Sequence, residues 1–195
     1  MNAGSSARPA VFLDKDGTLV EDVPYNVDPV RVRLMPGAAE GVAALHAAGF
    51  ALVVVSNQPG VAFGLFGAGA LEAVRLRLRD LLEQAGAPLA GFFFCPHAPG
   101  PDRRPACGCR KPAPGLLIDA ARDLHLDLAS SWMVGDILDD VEAGRAAGCR
   151  TVLVDNGGET EWCRSPSRTP HASVPDLKAA AEVIKLSRAE ALLHR

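Results

Sequence analysis

Two aspartates one residue apart, Asp14 and Asp16, end the apolar run of residues 10–13 and are followed at once by Gly17 and Thr18. A run of that length suits a fully buried strand, and its carboxyl end is where open α/β sheets place their ligands. Carboxylates so close repel each other, so the pair asks for a cation between them or one shared proton. The apolar run of residues 132–134 leads in the same way into Gly135, Asp136, Asp139 and Asp140. Asp14, Asp16 and Asp136, with Asp140 beside them, therefore form a candidate oxygen site for a hard cation such as magnesium, which keeps waters and recruits substrate phosphate. Bound phosphate also needs neutral donors and a positive charge. Ser56 and Asn57, at the tip of the apolar run of residues 50–55, and Lys111, just ahead of a helical pattern, supply them.

A second constellation is Cys95, His97, Cys107 and Cys109. Three thiolates and an imidazole complete a tetrahedral zinc site with no open position, as structural sites do. The segment between the pairs carries Pro96, Pro99, Gly100, Pro101 and Pro105 and has no hydrophobic period, so zinc would fix a loop, residues 95–109, that lacks a core of its own. Cys149 reads as a small buried hydrophobe, whereas Cys163 beside Trp162 has no evident partner. His46, His125, His171 and His194 are expected at surface positions.

The elements that must position these groups alternate. Strands are expected at residues 10–13, 50–55, 92–94, 132–134 and 151–154, and helices at 38–48, 71–85, 116–124 and 141–147, with a further helix begun by Pro175 and Asp176. Unbroken alternation of this kind predicts an α/β fold, a doubly wound parallel sheet of five strands with the polar tips on one edge. Residues 20–34, 61–69 and 156–170 read as loops, the first crossing the strand ends, and no large cap interrupts the strands. Residues 1–8 are expected to be a disordered leader, 9–186 a single domain and 187–195 a helical or frayed tail.

With 195 residues, 48% hydrophobic, 22% charged and a net charge of -3, the chain has no electrostatic case for nucleic acid or membrane surfaces. A zinc ribbon using Arg103, Arg104, Arg110 and Lys111 as a basic patch is opposed by that net charge and by the carboxylates at the strand tips. The longest apolar runs are of strand length, far short of a membrane span. The N-terminal stretch has no apolar signal-like core, and five cysteines suit metal or burial in a reducing compartment, so a cytoplasmic monomer is expected.

Taken together, FLDKDGT at residues 12–18, SNQPG at 56–60, CPH at 95–97 with CGC at 107–109, RKP at 110–112 and GDILDD at 135–140 resemble the haloacid dehalogenase (HAD) superfamily of aspartate-nucleophile phosphatases. The resemblance implies a HAD-like Rossmannoid fold and magnesium-dependent hydrolysis of a small-molecule phosphate ester through an aspartyl-phosphate. It makes Asp14 the nucleophile and Asp16 the general acid and base. Magnesium would sit on the Asp14 carboxylate, the Asp16 backbone carbonyl and Asp136. Ser56, Asn57 and Lys111 would hold phosphate, and Arg110 would touch the sugar phosphate. The zinc loop and minimal cap are similar to those of the D-glycero-D-manno-heptose 1,7-bisphosphate phosphatases, which implies action at the 7-phosphate, and next to those of the histidinol phosphatases. Pro59-Gly60 and Ala62-Phe63-Gly64 stand where the heptose enzymes carry an arginine, and the stretch between His97 and Cys107 is short. A phosphoaspartate receiver domain, the reading from another class, would place its aspartate on a later strand and use neither Asp16 nor the zinc loop.

Overall fold

The computed structural model describes residues 7–101 and 106–193. Six strands, β1 (Ala10–Leu13), β2 (Ala51–Asn57), β3 (Leu89–Cys95), β4 (Trp132–Gly135), β5 (Arg150–Val154) and β6 (Ala172–Val174), form one parallel sheet in the order β3-β2-β1-β4-β5-β6. Between them run α1 (Ala38–Ala47), α2 (Leu71–Gln84), α3 (Gly115–Leu124) and α4 (Leu138–Ala146), and α5 (Leu177–Leu193) closes the fold. The chain starts at the middle of the sheet, winds outward to β3, then returns to lay β4 on the free side of β1. Strand order therefore reverses between β1 and β4, and their carboxyl ends open a crevice there.

Side-chain alternation divides the core into two layers. Val11 and Leu13 of β1, Leu52 and Val54 of β2 and Val134 of β4 pack with Val42 and Leu45 of α1, Leu78 of α2 and Ile184 of α5 on one face. Ala10, Phe12, Val53, Val55 and Met133 point the other way, onto Leu117 and Ala120 of α3 and Ala143 of α4. Apolar side chains on both faces explain why the central strands read as unbroken hydrophobic runs rather than alternating ones. In register, Leu13 lies beside Val54 and Val134, so the residues just past them, Asp14, Ser56 and Asp136, fall on one edge.

Three elements differ from the sequence reading, whereas α5 carries the expected tail on as helix. β6 adds a sixth strand, only three residues long, pairing with β5 and accepting at Val174 O from Asp155 N (2.8 Å); it is too short to register as a hydrophobic run. β3 extends over Leu89–Cys95 and, as an edge strand, is only half-buried outside Cys95, so its flanks lack the apolar signature. α4 begins at Leu138, three residues before its apolar pattern, because acidic residues are favoured in a first helical turn and Asp140 Oδ2 accepts from the orphan Ile137 N–H (3.4 Å). α5 runs on past Ser187, with Arg188 stacked on the Phe50 ring at 4.7 Å. Residues 1–6 of the expected leader lie outside the described residues, and Arg8 is already tied down, donating to His125 O (3.3 Å) and accepting from Asp127 N (2.9 Å). No helix among the described residues is long and apolar enough to cross a membrane.

Candidate active site

The switch-point crevice collects the strand-tip residues. Asp14 N donates to Val134 O (2.9 Å), fixing the turn out of β1 against β4. Carboxylate oxygens of Asp14, Asp136 and Asp140 all lie within 4.8 Å of one another. Lys111, only 2% exposed, delivers its ammonium into this cluster. Nζ donates to Asp14 Oδ1 and to Val55 O (3.0 Å) and lies 2.6 Å from Asp140 Oδ1. That last contact is an ion pair without hydrogen-bond alignment, so Asp140 Oδ1 is a buried acceptor with no hydrogen bond of its own. Thr18 Oγ1 donates to Asp136 Oδ1 (3.2 Å).

The charge balance in this cluster is incomplete. Three carboxylates face one ammonium, and burial, then the charges of Asp14 and Asp140, push Asp136 up to about 8. Asp140 is raised to about 6 by burial, against the pull of Lys111. Burial alone would lower Lys111, but Asp14 and Asp140 hold it above the ordinary lysine range. A hard divalent cation would supply the missing positive charge, and an all-oxygen donor set is the kind such ions take. The residues present therefore fit magnesium.

Asp16 stands apart from the cluster. Its carboxylate pairs with Lys15 and accepts from Gln58 Nε2 (3.2 Å), and its backbone bridges to Val20. Burial raises its pKa, Lys15 opposes that, and the charge of Asp14 adds to it. Ser56 is buried and accepts from the same Gln58 amide at 2.8 Å. Asn57 is locked to the Lys111 backbone, its Nδ2 donating to Lys111 O (3.1 Å) and its Oδ1 accepting from Lys111 N (3.1 Å). Asn57 thus couples the tip of β2 to the segment that carries the buried lysine. Arg110 donates to His97 O (3.3 Å) and, with Lys111, Asp139, Glu159 and Arg168, lines an open pocket of about 500 Å³ beside the cluster.

The cysteine–histidine segment is held as one knot. Cys95 Sγ, His97 Nδ1, Cys107 Sγ and Cys109 Sγ approach one another at 3.2–3.5 Å, with no disulfide among them. Tetrahedral zinc–thiolate bonds of about 2.3 Å put sulfurs about 3.8 Å apart, so four ligand atoms this close fit a single tetrahedral ion. Arg110 N also points to Cys107 Sγ (3.3 Å), joining the knot to the Arg110–Lys111 step. Of the remaining cysteines, Cys149 is buried and Cys163 exposed. His171 accepts at Nδ1 from Thr151 N (3.0 Å), His125 caps α3 in a left-handed conformation, and His194 lies outside the described residues.

The sequence reading passed over Lys15, Gln58 and the segment Asn156-Gly157-Gly158-Glu159 after β5. That segment begins just past a strand tip, as Asp14, Ser56 and Asp136 do, and the same placement would have marked it.

Acidic groups and a buried lysine converging at the switch point of a parallel sheet fit a phosphoryl-transfer site. Comparison with known proteins agrees. The family model described as "HAD-hyrolase-like" matches residues 108–180. D-glycero-beta-D-manno-heptose-1,7-bisphosphate 7-phosphatase of Salmonella typhi is 40% identical over 153 residues, covering 76% of this chain and 81% of that protein. The phosphatase of the same name from Pseudomonas aeruginosa is 34% identical over 179 residues, covering 91% and 98%. Among solved structures, D,D-heptose 1,7-bisphosphate phosphatase from B. bronchiseptica, complexed with magnesium and phosphate, superposes with a TM-score of 0.75 at 34% identity, covering 92% of this chain and 99% of that one. The chain belongs to the HAD-like phosphatases, in the family of the heptose bisphosphate phosphatases, and is a phosphoric monoester hydrolase. A non-catalytic receiver domain is thereby set aside.

Proposed function

We propose that this chain is a magnesium-dependent phosphatase that removes the 7-phosphate of D-glycero-D-manno-heptose 1,7-bisphosphate through an aspartyl-phosphate on Asp14. The observation that carries the chemistry is the meeting of Asp14, Asp136 and Asp140 around the buried Lys111 ammonium, which leaves two negative charges for a divalent cation. The substrate is supported by the 40% identity to enzymes named for it.

In this reading an Asp14 oxygen attacks phosphorus as the ester P–O bond breaks, and Asp16 gives its proton to the departing sugar oxygen. The resulting Asp16 carboxylate then takes a proton from water, whose oxygen attacks phosphorus and frees Asp14 and inorganic phosphate. Asp16 must begin protonated, and the upward push of burial on its carboxyl favours that state. Lys111 neutralises one carboxylate oxygen at the attack site and would face the phosphoryl oxygens, with Ser56 as neutral donor. Magnesium held by Asp14, the Asp16 carbonyl and Asp136 would offset the remaining charge on the phosphoryl group. Zinc in the cysteine–histidine knot would act structurally, holding Arg110 at the pocket wall. The ligand-carrying residues lie in one domain, and the enzyme would work as a cytoplasmic monomer.

The test is phosphate release with magnesium from the heptose 1,7-bisphosphate, histidinol phosphate and a simple sugar monophosphate. A preference of about a hundredfold for the heptose bisphosphate, about 2.7 kcal/mol of transition-state discrimination, is expected. Preference for histidinol phosphate would overturn the substrate. Asp14→Asn should abolish turnover on all three while circular dichroism stays unchanged, and near-normal activity in that variant would remove Asp14 from the nucleophile's role.

A further inference from the structure

The mechanism above uses nothing from the segment after β5, yet that segment lies against Asp136 at Gly158 and bonds backbone groups beside the acidic cluster, at Gly17 and Leu138. Asn156 spans the gap between two backbone stretches: its Nδ2 donates to Gly17 O (2.7 Å), and its Oδ1 accepts from Gly158 N (3.2 Å). Those two glycines enclose the Asp136 carboxylate. A Cβ built on Gly17 would lie 2.3 Å from Asp136 Oδ2, and one on Gly158 would lie 2.0 Å from the same atom. Real Cβ atoms do not approach so closely, so Gly158 is required by space alone, whereas Gly17 also has a φ of +80°. With Thr18 donating to Oδ1, the Asp136 carboxylate has a single seat. One residue past Gly158, Glu159 Oε2 accepts from Leu138 N (2.7 Å) and its Oε1 from Glu161 N (2.6 Å). Glu159 thus joins Asp140 as a side-chain acceptor at the start of α4, the helix whose first turn carries Asp139 and Asp140.

We propose that residues 156–159 form a positioning strap for the metal-binding cluster: Asn156 clamps Asp136 between Gly17 and Gly158, and Glu159 seats the first turn of α4 and with it Asp140. None of the three residues reaches the reacting atoms. Their effect is to keep three mutually repelling carboxylates in one arrangement before a cation arrives, in the way outer groups orient the ligands of metal sites. This inference rests on the magnesium reading of the site.

The test is magnesium binding by the full chain, measured by calorimetry in the absence of substrate, alongside turnover of an aryl phosphate. Asn156→Ala and Gly158→Ala should weaken magnesium binding by about 10- to 100-fold. At saturating magnesium, kcat should recover and KM for the aryl phosphate should stay unchanged, a split that general loosening of the fold would not give. Glu159→Ala should weaken binding as well, and Glu159→Gln, which keeps an acceptor for Leu138 N, should restore it. The Glu159 pair keeps the proposal open to refutation should Gly158→Ala fail to fold. Affinities within threefold of wild type in both Asn156→Ala and Glu159→Ala would overturn the strap while leaving the magnesium reading intact. Absence of magnesium binding by the wild-type chain would overturn both.

Discussion

Lys111→Met removes the ammonium from the cluster while nearly conserving side-chain length, so the loss it produces is electrostatic rather than steric. In the native chain Lys111 is fully enclosed, paired with Asp14 and Asp140 and bonded to Val55 O. Removing one partner of a buried ion pair costs about 3–5 kcal/mol, because the remaining charges stay buried without compensation. Here three carboxylates would remain, which places the expectation in the upper part of that range. Proton uptake limits the damage: Asp140, raised by burial to about 6 and held down by Lys111, rises further and takes up a proton once the ammonium is gone. For a domain of this size, 3–5 kcal/mol lowers the melting temperature by about 6–20 °C. The assay is thermal and urea unfolding of metal-free protein at pH 7.5, with Lys185→Met as control. Lys185 makes an exposed helical pair with Glu182 (2.9 Å), and its loss should cost no more than about 0.5 kcal/mol. A Lys111→Met protein within about 1 kcal/mol of wild type would refute the claim that Lys111 neutralises the cluster.

Two further outcomes follow from the two sites. Asp136 is raised above its ordinary value, so the folded protein holds a proton that the unfolded chain releases near pH 4; metal-free stability should fall as pH rises from about 4 toward 8. A cation takes over that charge, so the rise in melting temperature on adding magnesium should be larger at pH 8 than at pH 5, and an equal rise at both would contradict the charge balance described. In the cysteine–histidine knot, Cys109→Ser should reduce bound zinc, measured by atomic absorption, from one per chain to a small fraction, and should open residues 95–109 to proteolysis. Full zinc content in that variant would remove Cys109 from the ligand set.

The fold and the candidate site were legible in the sequence to different depths. The strands and the parallel sheet followed from alternation because β1, β2, β4 and β5 are buried on both faces and so spell continuous apolar runs. What escaped were elements whose stability comes from elsewhere. β6 is a three-residue edge held by pairing to β5, and the first turn of α4 is held by carboxylates rather than by an apolar stripe. The site divides along the same line. Asp14, Ser56, Asp136 and the cysteine–histidine ligands announce themselves, since charge or thiols at the end of an apolar run have few purely structural uses.

Asn57 has a structural tie that residue type does not reveal. Expected as a neutral phosphate donor at a strand tip, it also has both ends of its side-chain amide bonded to the Lys111 backbone. Asn57 therefore also acts on the site through Lys111, whose ammonium bonds Val55 O of β2 and pairs with Asp14 and Asp140. The cysteine–histidine knot secures the other side of the same step, through Arg110 N and Cys107 Sγ. The acidic cluster and the cysteine–histidine loop are consequently one structure: the lysine that pairs with the carboxylates is anchored at its own backbone by Asn57 and, one residue earlier, by the knot. Loosening the knot should thus reach the acidic cluster through Lys111 before it reaches the hydrophobic core, where Cys95 alone of the four ligands is fully buried.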